Sequence, residues 1–258
     1  MKAIVQKLGP SYQFLQSDPH LGDKIMILAY GGSYAYGTNI PTSDIDIRGC
    51  ALNTPEEILG RSKYEQYIDQ KTDTVIYRFK KMIELLLSCN PNAIEILGCK
   101  PEHYLYISEE GQMLLDHAAL FLSSERVFKA FGGYIRQQEK DMMHKLSYKK
   151  DDQCINKCAM HIVRLYFMAV DILEQGRVTT YRENNRDLLL SIRNGRFQNP
   201  DNTYQAEFFA LIRMLESQMR YALRHTVLPQ TPDFKKVEEL MMEINKLALR
   251  KGKRKYEL

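Results

Sequence analysis

The chain has 258 residues, 44% of them apolar and 26% charged, with a net charge of only +4. That composition suits a globular protein with a sizeable core, and the net charge by itself says nothing about nucleic acid. No stretch approaches the roughly 18 apolar residues a membrane span needs, and "MKAIVQKLGP" carries no apolar leader. Five cysteines without framework spacing read as free thiols in a reducing cytoplasm. Cys154 and Cys158 lie four apart on an expected helix, but a zinc site would need two more ligands in a recognisable spacing.

"KIMILAY" (24–30) is a short apolar run before a glycine turn and reads as a buried strand. "DIDIRGC" (44–50) alternates, which predicts a strand with Asp44, Asp46 and Arg48 on one face and Ile45 and Ile47 on the other. "YEQYID" (64–69) and "TDTVIYRF" (72–79) read as two strands joined by a tight turn. The period then becomes helical in "KKMIELLLSC", stops at Asn90-Pro91, and resumes in "NAIEILG" to Gly98. Beyond about residue 110 helical spacing dominates, in segments 123–146, 151–176, 202–225 and 231–251, with Ser124 and Asp151 as expected N-caps and Gly176 as an expected C-terminal stop. The expected fold is α+β, with a mixed sheet domain over 1–107 and an all-helical domain over 108–258 ending in the basic tail "KLALRKGKRKYEL". That tail, with Lys145, Lys149 and Lys150, reads either as a solvated end or as a surface for a phosphate backbone.

The stretch "AYGGSYAYGTNIPTSDIDIRG" (29–49) carries the chemistry. Two carboxylates at i and i+2 of a strand point the same way, about 7 Å apart at Cα. Unpaired, they oppose each other's ionisation; a divalent cation removes that opposition. Hard oxygen ligands with open positions suit Mg²⁺, which takes its remaining ligands from water and phosphates, with Mn²⁺ as an alternative. A strand ending in Gly31-Gly32-Ser33 offers backbone N–H groups and a hydroxyl to an anion. Together they suggest phosphoryl or nucleotidyl transfer with two metals held by Asp44, Asp46 and a third carboxylate. Asp73 in the neighbouring strand is the first candidate for that role and for general base; Asp69 and Glu65 are the others.

Gly32-Ser33, ten intervening residues, then Asp44-Ile45-Asp46 resembles the signature of the DNA polymerase β nucleotidyltransferase superfamily. The fuller string "GSYAYGTNIPTSDIDIRG" resembles the nucleotidyltransferase family associated with bacterial and phage RNA-repair systems. "KKMIELLLSCNPNAIEIL", "KCAMHIVRLYFMAVDILEQG" and "LLLSIRNG" are similar to its downstream helices, so the likeness covers about residues 24–196. Tyr34 departs from it, since arginine often follows the serine there. The resemblance implies a palm with a small mixed sheet and helices on one side, followed by a helical domain. It implies Mg²⁺, a nucleoside triphosphate substrate and release of pyrophosphate, with Ser33 on the triphosphate and the three aspartates on metals. RNA is the expected acceptor; AMP transfer to a protein, as in shorter antitoxin-like relatives, or to a small molecule is the alternative, and a non-catalytic nucleotide- or RNA-binding scaffold is a third reading.

Lys157, His161 and Arg164 fall at i, i+4 and i+7 and share a helix face. Their partner is either the triphosphate or an internal carboxylate such as Glu95. Arg193 and Asn194 form a second cationic candidate, which also suits a helix end. Asn90 either caps a helix or marks the cleft, where Glu95 could orient a basic residue. Tyr34 and Tyr36 are candidates for stacking on a base or sugar, or for packing.

Overall fold

One mixed sheet is built around strand β1 (Ile25–Tyr30), which pairs antiparallel with β2 (Ile47–Ala51) on one side and β5 (Tyr104–Ile107) on the other. Strand β4 (Thr74–Arg78) joins β2 in parallel, and β3 (Gln66–Asp69) closes the edge as a hairpin with β4, giving the order β3–β4–β2–β1–β5. The structure is a computed structural model describing residues 1–148, 152–201 and 203–253. Lys149, Lys150 and Asp151, and residues 254–258 of the basic tail, therefore lie outside the described residues.

β1 reads as a continuous apolar run because both faces of the sheet are covered. On one face, helices α1 (Lys2–Leu8) and α2 (Phe14–Ser17) and the 3-10 turn Pro10–Tyr12 between them bring Val5, Leu15 and Tyr12 onto Ile25, Leu28 and Ile47. The sheet thus carries helices on two sides, not one; the cover comes from residues 2–24, whose helical turns are too short to show a period. On the other face, Met26, Ile27, Ala29 and Cys50 join one apolar core with the helices that follow. The expected α+β class is what the chain adopts.

Those helices are α3 (Gly32–Tyr36), α4 (Pro55–Leu59), α5 (Phe79–Leu87), α6 (Pro91–Ile94), α7 (Glu109–Asp116), α8 (Ser124–Ser147), α9 (Asp152–Gln175), α10 (Arg186–Arg193), α11 (Ala206–His225) and α12 (Phe234–Lys253). Local chemistry sets several starts. Thr54 and Glu57 form a reciprocal capping box with Pro55 at the first turn of α4, and Asn90 caps α6 through the Asn92 N–H. Gly176 ends α9 at φ +66°, its N–H donating to the Ile172 carbonyl. α9 is the hub: it packs on α8, α10 and α11, and fourteen of its residues are buried. No helix among the described residues is long and apolar enough to cross a membrane.

Three local expectations fail. The strand over 44–50 begins only at Ile47, because β1 turns into α3 at Gly31 and leaves residues 44–46 without a ladder partner; Ile45 is 37% exposed rather than buried. β5 has no sequence signature: its four residues are all half-buried and do not alternate. Ser123, not Ser124, holds the N-cap position of α8, and Ser124 instead donates through its N–H and hydroxyl to the Pro229 carbonyl.

Candidate active site

The top edge of the sheet brings Asp46, Asp73, Arg48 and the Gly31-Gly32-Ser33 turn together. The Gly31 N–H donates to the Asp46 carbonyl at 2.8 Å, fixing the approach to β2 against the end of β1. Gly32 has φ +53°, and a Cβ there would fall 1.6 Å from Asp46 Oδ2, so only glycine lets the turn close over that carboxylate. At Gly31 a Cβ would meet Arg48 Cγ at 2.6 Å. The glycines thus leave room for two functional side chains of the same site.

Asp73 arrives from the β3–β4 turn in a left-handed conformation, φ +43°. Arg48 holds it there: Nη1 donates to the Asp73 carbonyl at 2.6 Å and Nη2 to Asp73 Oδ1 at 3.2 Å. Burial first, and then the neighbouring Asp73 carboxyl, push Asp46 up to about 7, with Arg48 and Lys157 opposing. The interaction with Asp46, reinforced by Arg48 and Lys157, holds Asp73 below its ordinary value. Ionisation of Asp46 is thus opposed at the spot where the sequence placed a cation.

Asp44, the first of the three carboxylates in sequence order, is exposed. Among the described residues, no group of three or more His, Cys, Asp or Glu is assembled in metal-holding geometry. The donor set is therefore a pair of hard oxygen ligands with one more on an adjacent exposed turn. That fits Mg²⁺ or Mn²⁺, which keep waters and complete their shells from substrate phosphates, and does not fit zinc. Of the other carboxylates considered, Asp69 accepts from the Thr72 N–H and hydroxyl within its own turn, and Glu65 pairs with Lys81 at 2.8 Å. The Ser33 hydroxyl lies partly exposed at the mouth of the turn, with no hydrogen-bond partner among the described residues.

The opposite wall is α9, where the expected cationic face divides by depth. Lys157 is exposed and acts electrostatically on both Asp46 and Asp73. His161 lies edge-on to Tyr36, ring centroids 6.4 Å apart; burial and the charges of Arg164, Lys157 and Arg193 hold it well below its ordinary value, so it is neutral. Arg164 is buried, its guanidinium 3.8 Å over the Tyr36 ring and its Nη1 on Met168 Sδ at 2.9 Å. The Tyr36 hydroxyl donates to Glu95 Oε2, itself buried and raised by that burial. Glu95, Tyr36 and Arg164 make a closed internal stack. Tyr36 is consequently not free to stack on a substrate, whereas Tyr34 stays partly exposed.

Arg193 closes the far side: its Nη1 donates to the Thr38 carbonyl at 2.6 Å, and Arg186 Nε donates to the Gly37 carbonyl at 2.7 Å. Helix α10 is thereby tied to the end of α3. Beside these contacts opens a cavity of about 750 Å³, walled by Lys157 and Arg193, the amides Asn156 and Gln198, and Ile40 and Thr42 from the turn leading to Asp44. Its size suits a nucleotide. Sequence reasoning gave Arg48 a face but no role; its tie to Asp73 crosses 25 positions and shows only in three dimensions.

The family model described as RNA repair pathway DNA polymerase beta family matches residues 11–243. No curated protein matches the chain.

Proposed function

We propose that this chain, which belongs to the RNA repair pathway DNA polymerase beta family, transfers a nucleoside monophosphate from a nucleoside triphosphate to a hydroxyl of RNA and releases pyrophosphate. The observation that supports this most is the meeting of Asp46 with the glycine turn that carries Ser33, beside an Asp73 that Arg48 holds in place.

Each residue then has a task. Asp46 and Asp73, with Asp44, would hold the divalent cations, which would supply Lewis-acid charge to the phosphates. Ser33 and the turn seat the triphosphate, and Lys157 and Arg193 offer cationic contacts from the cavity wall. The acceptor oxygen forms a bond to the α-phosphorus as the bond to the bridging oxygen of pyrophosphate breaks. Its proton passes to Asp73 as general base. Arg48 fixes Asp73 for that role through its contacts with the Asp73 carbonyl and Oδ1. Arg164 and Glu95 act from beneath, as the internal support of α3 through Tyr36. The five free cysteines suit the reducing cytoplasm in which such an enzyme would work.

The test incubates the protein with each α-³²P-labelled nucleoside triphosphate, Mg²⁺ and total RNA, then resolves RNA from protein. Label on RNA that Asp46→Asn reduces at least about a thousandfold is expected, the several kcal/mol a metal ligand contributes. Label on protein instead would replace the acceptor. Undiminished labelling by Asp46→Asn would remove the carboxylate pair from the mechanism.

A further inference from the structure

A row of rings leaves the glycine turn on the side away from Asp73. Tyr34, the residue after Ser33, has its ring 6.0 Å from that of Tyr30. Tyr30 lies 6.2 Å from His103, edge-on, and His103 lies 5.6 Å from Tyr181. All four are partly exposed. Two lysines flank the row: Lys7 stands 5.9 Å over the Tyr30 ring and Lys100 3.7 Å over the Tyr181 ring. Beyond Tyr181 the row opens into a second cavity, of about 370 Å³, with Lys100, Arg177 and Arg182 in its wall. Asp171 and Glu183 share that wall: Arg182, 4% exposed, pairs through Nη1 with Asp171 at 2.6 Å while its Nε is buried without a hydrogen-bond partner, and Lys100 meets Glu183 at 3.7 Å.

These residues come from α1, β1, α3, the segment just before β5 and the loop after α9, so no sequence periodicity groups them. Packing alone does not account for the row, because aromatic residues recruited only to fill a core are buried and carry no ammonium groups over their faces. A stepped series of partly open rings flanked by cations is the make-up of a single-strand track, in which bases lie on π-faces and lysines follow the phosphates. A folded protein partner would be better matched by a contiguous apolar centre with a charged rim, which this row lacks. We infer that the Tyr34–Tyr30–His103–Tyr181 row, with Lys7 and Lys100, is a binding track for single-stranded nucleic acid that ends at the Arg182 cavity. The choice of RNA over DNA rests on the acceptor reading above. Tyr34 thereby belongs to the track and not to the triphosphate.

Binding of a fluorescent single-stranded oligoribonucleotide, by anisotropy without nucleotide or Mg²⁺, tests this. His103→Ala and Tyr181→Ala should each weaken binding about tenfold, the effect of removing one stacking ring. Because Tyr181 also packs on Gly37, the surface double variant Lys7→Ala/Lys100→Ala provides an independent arm. It should reduce the slope of log affinity against log salt by about 1.4, two phosphate contacts on a single strand. Duplex RNA of the same sequence should compete poorly. Unchanged affinity and slope in all variants, or equal affinity for duplex, overturns the track. The two readings fail separately: a protein that labels RNA while the variants bind normally keeps the transferase and loses the track. One that shows the binding changes but releases no pyrophosphate does the reverse.

Discussion

The two ends of strand β4 hold acid–base clusters of opposite design. At the lower end Arg78, 1% exposed, donates from Nε and Nη2 to Glu57 Oε2 at 2.8 and 2.6 Å, and from Nη1 to the His20 carbonyl. Glu57 also accepts from Asn53 and the Thr54 N–H, and its other oxygen meets His20 Nδ1 at 3.1 Å. The Arg78 and Glu57 charges are paired with each other. At the upper end two carboxyls meet with Asp46 pushed up to about 7, Asp73 is held at a left-handed φ, and Arg48 and the exposed Lys157 oppose them. One cluster is complete by itself. The other is complete only with something added, and incompleteness of that kind marks a site rather than a brace.

The sharpest way to test that contrast is to break the complete cluster. Arg78→Met leaves Glu57 buried without its cation, a loss of about 3–5 kcal/mol and a fall in Tm on the order of 10 °C. Calorimetry reads it directly. Transfer activity per folded molecule at low temperature should be unchanged, since Arg78 lies a strand's length from Asp46. If the Tm holds and activity falls instead, the two ends of β4 have been assigned the wrong way round.

The same contrast explains what could be read from the sequence. The meeting of Gly32 with Asp46 was legible because the turn and the carboxylate are near neighbours in the chain, whereas the strand spacing expected for Asp44 and Asp46 does not hold, since β2 begins only at Ile47. The α+β class was legible because helices of some twenty residues show their period. Arg48's grip on Asp73, and the burial of Arg164 over Tyr36, depend on which strands pair and how deep α9 sits, and spacing along one helix cannot tell its exposed end from its buried one. Lys157, His161 and Arg164 look equivalent in sequence; in the fold they run from solvent to core. The cover formed by residues 2–24 was missed because helices of four to seven residues hold too few turns to show a face.

That gradient along α9 gives a second, smaller effect. Lys157→Ala removes an exposed cation at the cavity wall, and should raise the KM for the nucleoside triphosphate about tenfold, or 1.4 kcal/mol, with Tm unmoved. Arg164→Ala empties a buried position against Tyr36 and Met168 and should lower Tm first. Steady-state kinetics beside thermal melts separates the two. A Lys157→Ala protein that melts early would make Lys157 part of the internal brace as well.

The smallest effect is the most specific to the open cluster. Asp46 is raised to about 7 in the folded chain, against an ordinary value near 3.8. Between those values the native state binds more protons than the unfolded one, so the slope of stability against pH from this group is negative. Its contribution is fully present below about pH 4 and is lost as pH rises through 7. Asp46→Asn removes the titration and the repulsion together, so its Tm relative to wild type should climb over the same window, reaching about 2–4 °C at pH 8. That figure corresponds to about 1 kcal/mol, already discounted for solvent screening of a half-exposed pair. Adding Mg²⁺ should close the gap from the other side, by stabilising the wild type at pH 8 and leaving Asp46→Asn where it was. A variant that melts below wild type at pH 8 without metal would mean the two carboxyls are not in conflict, and the cluster would have to be counted with Glu57 and Arg78 as a brace.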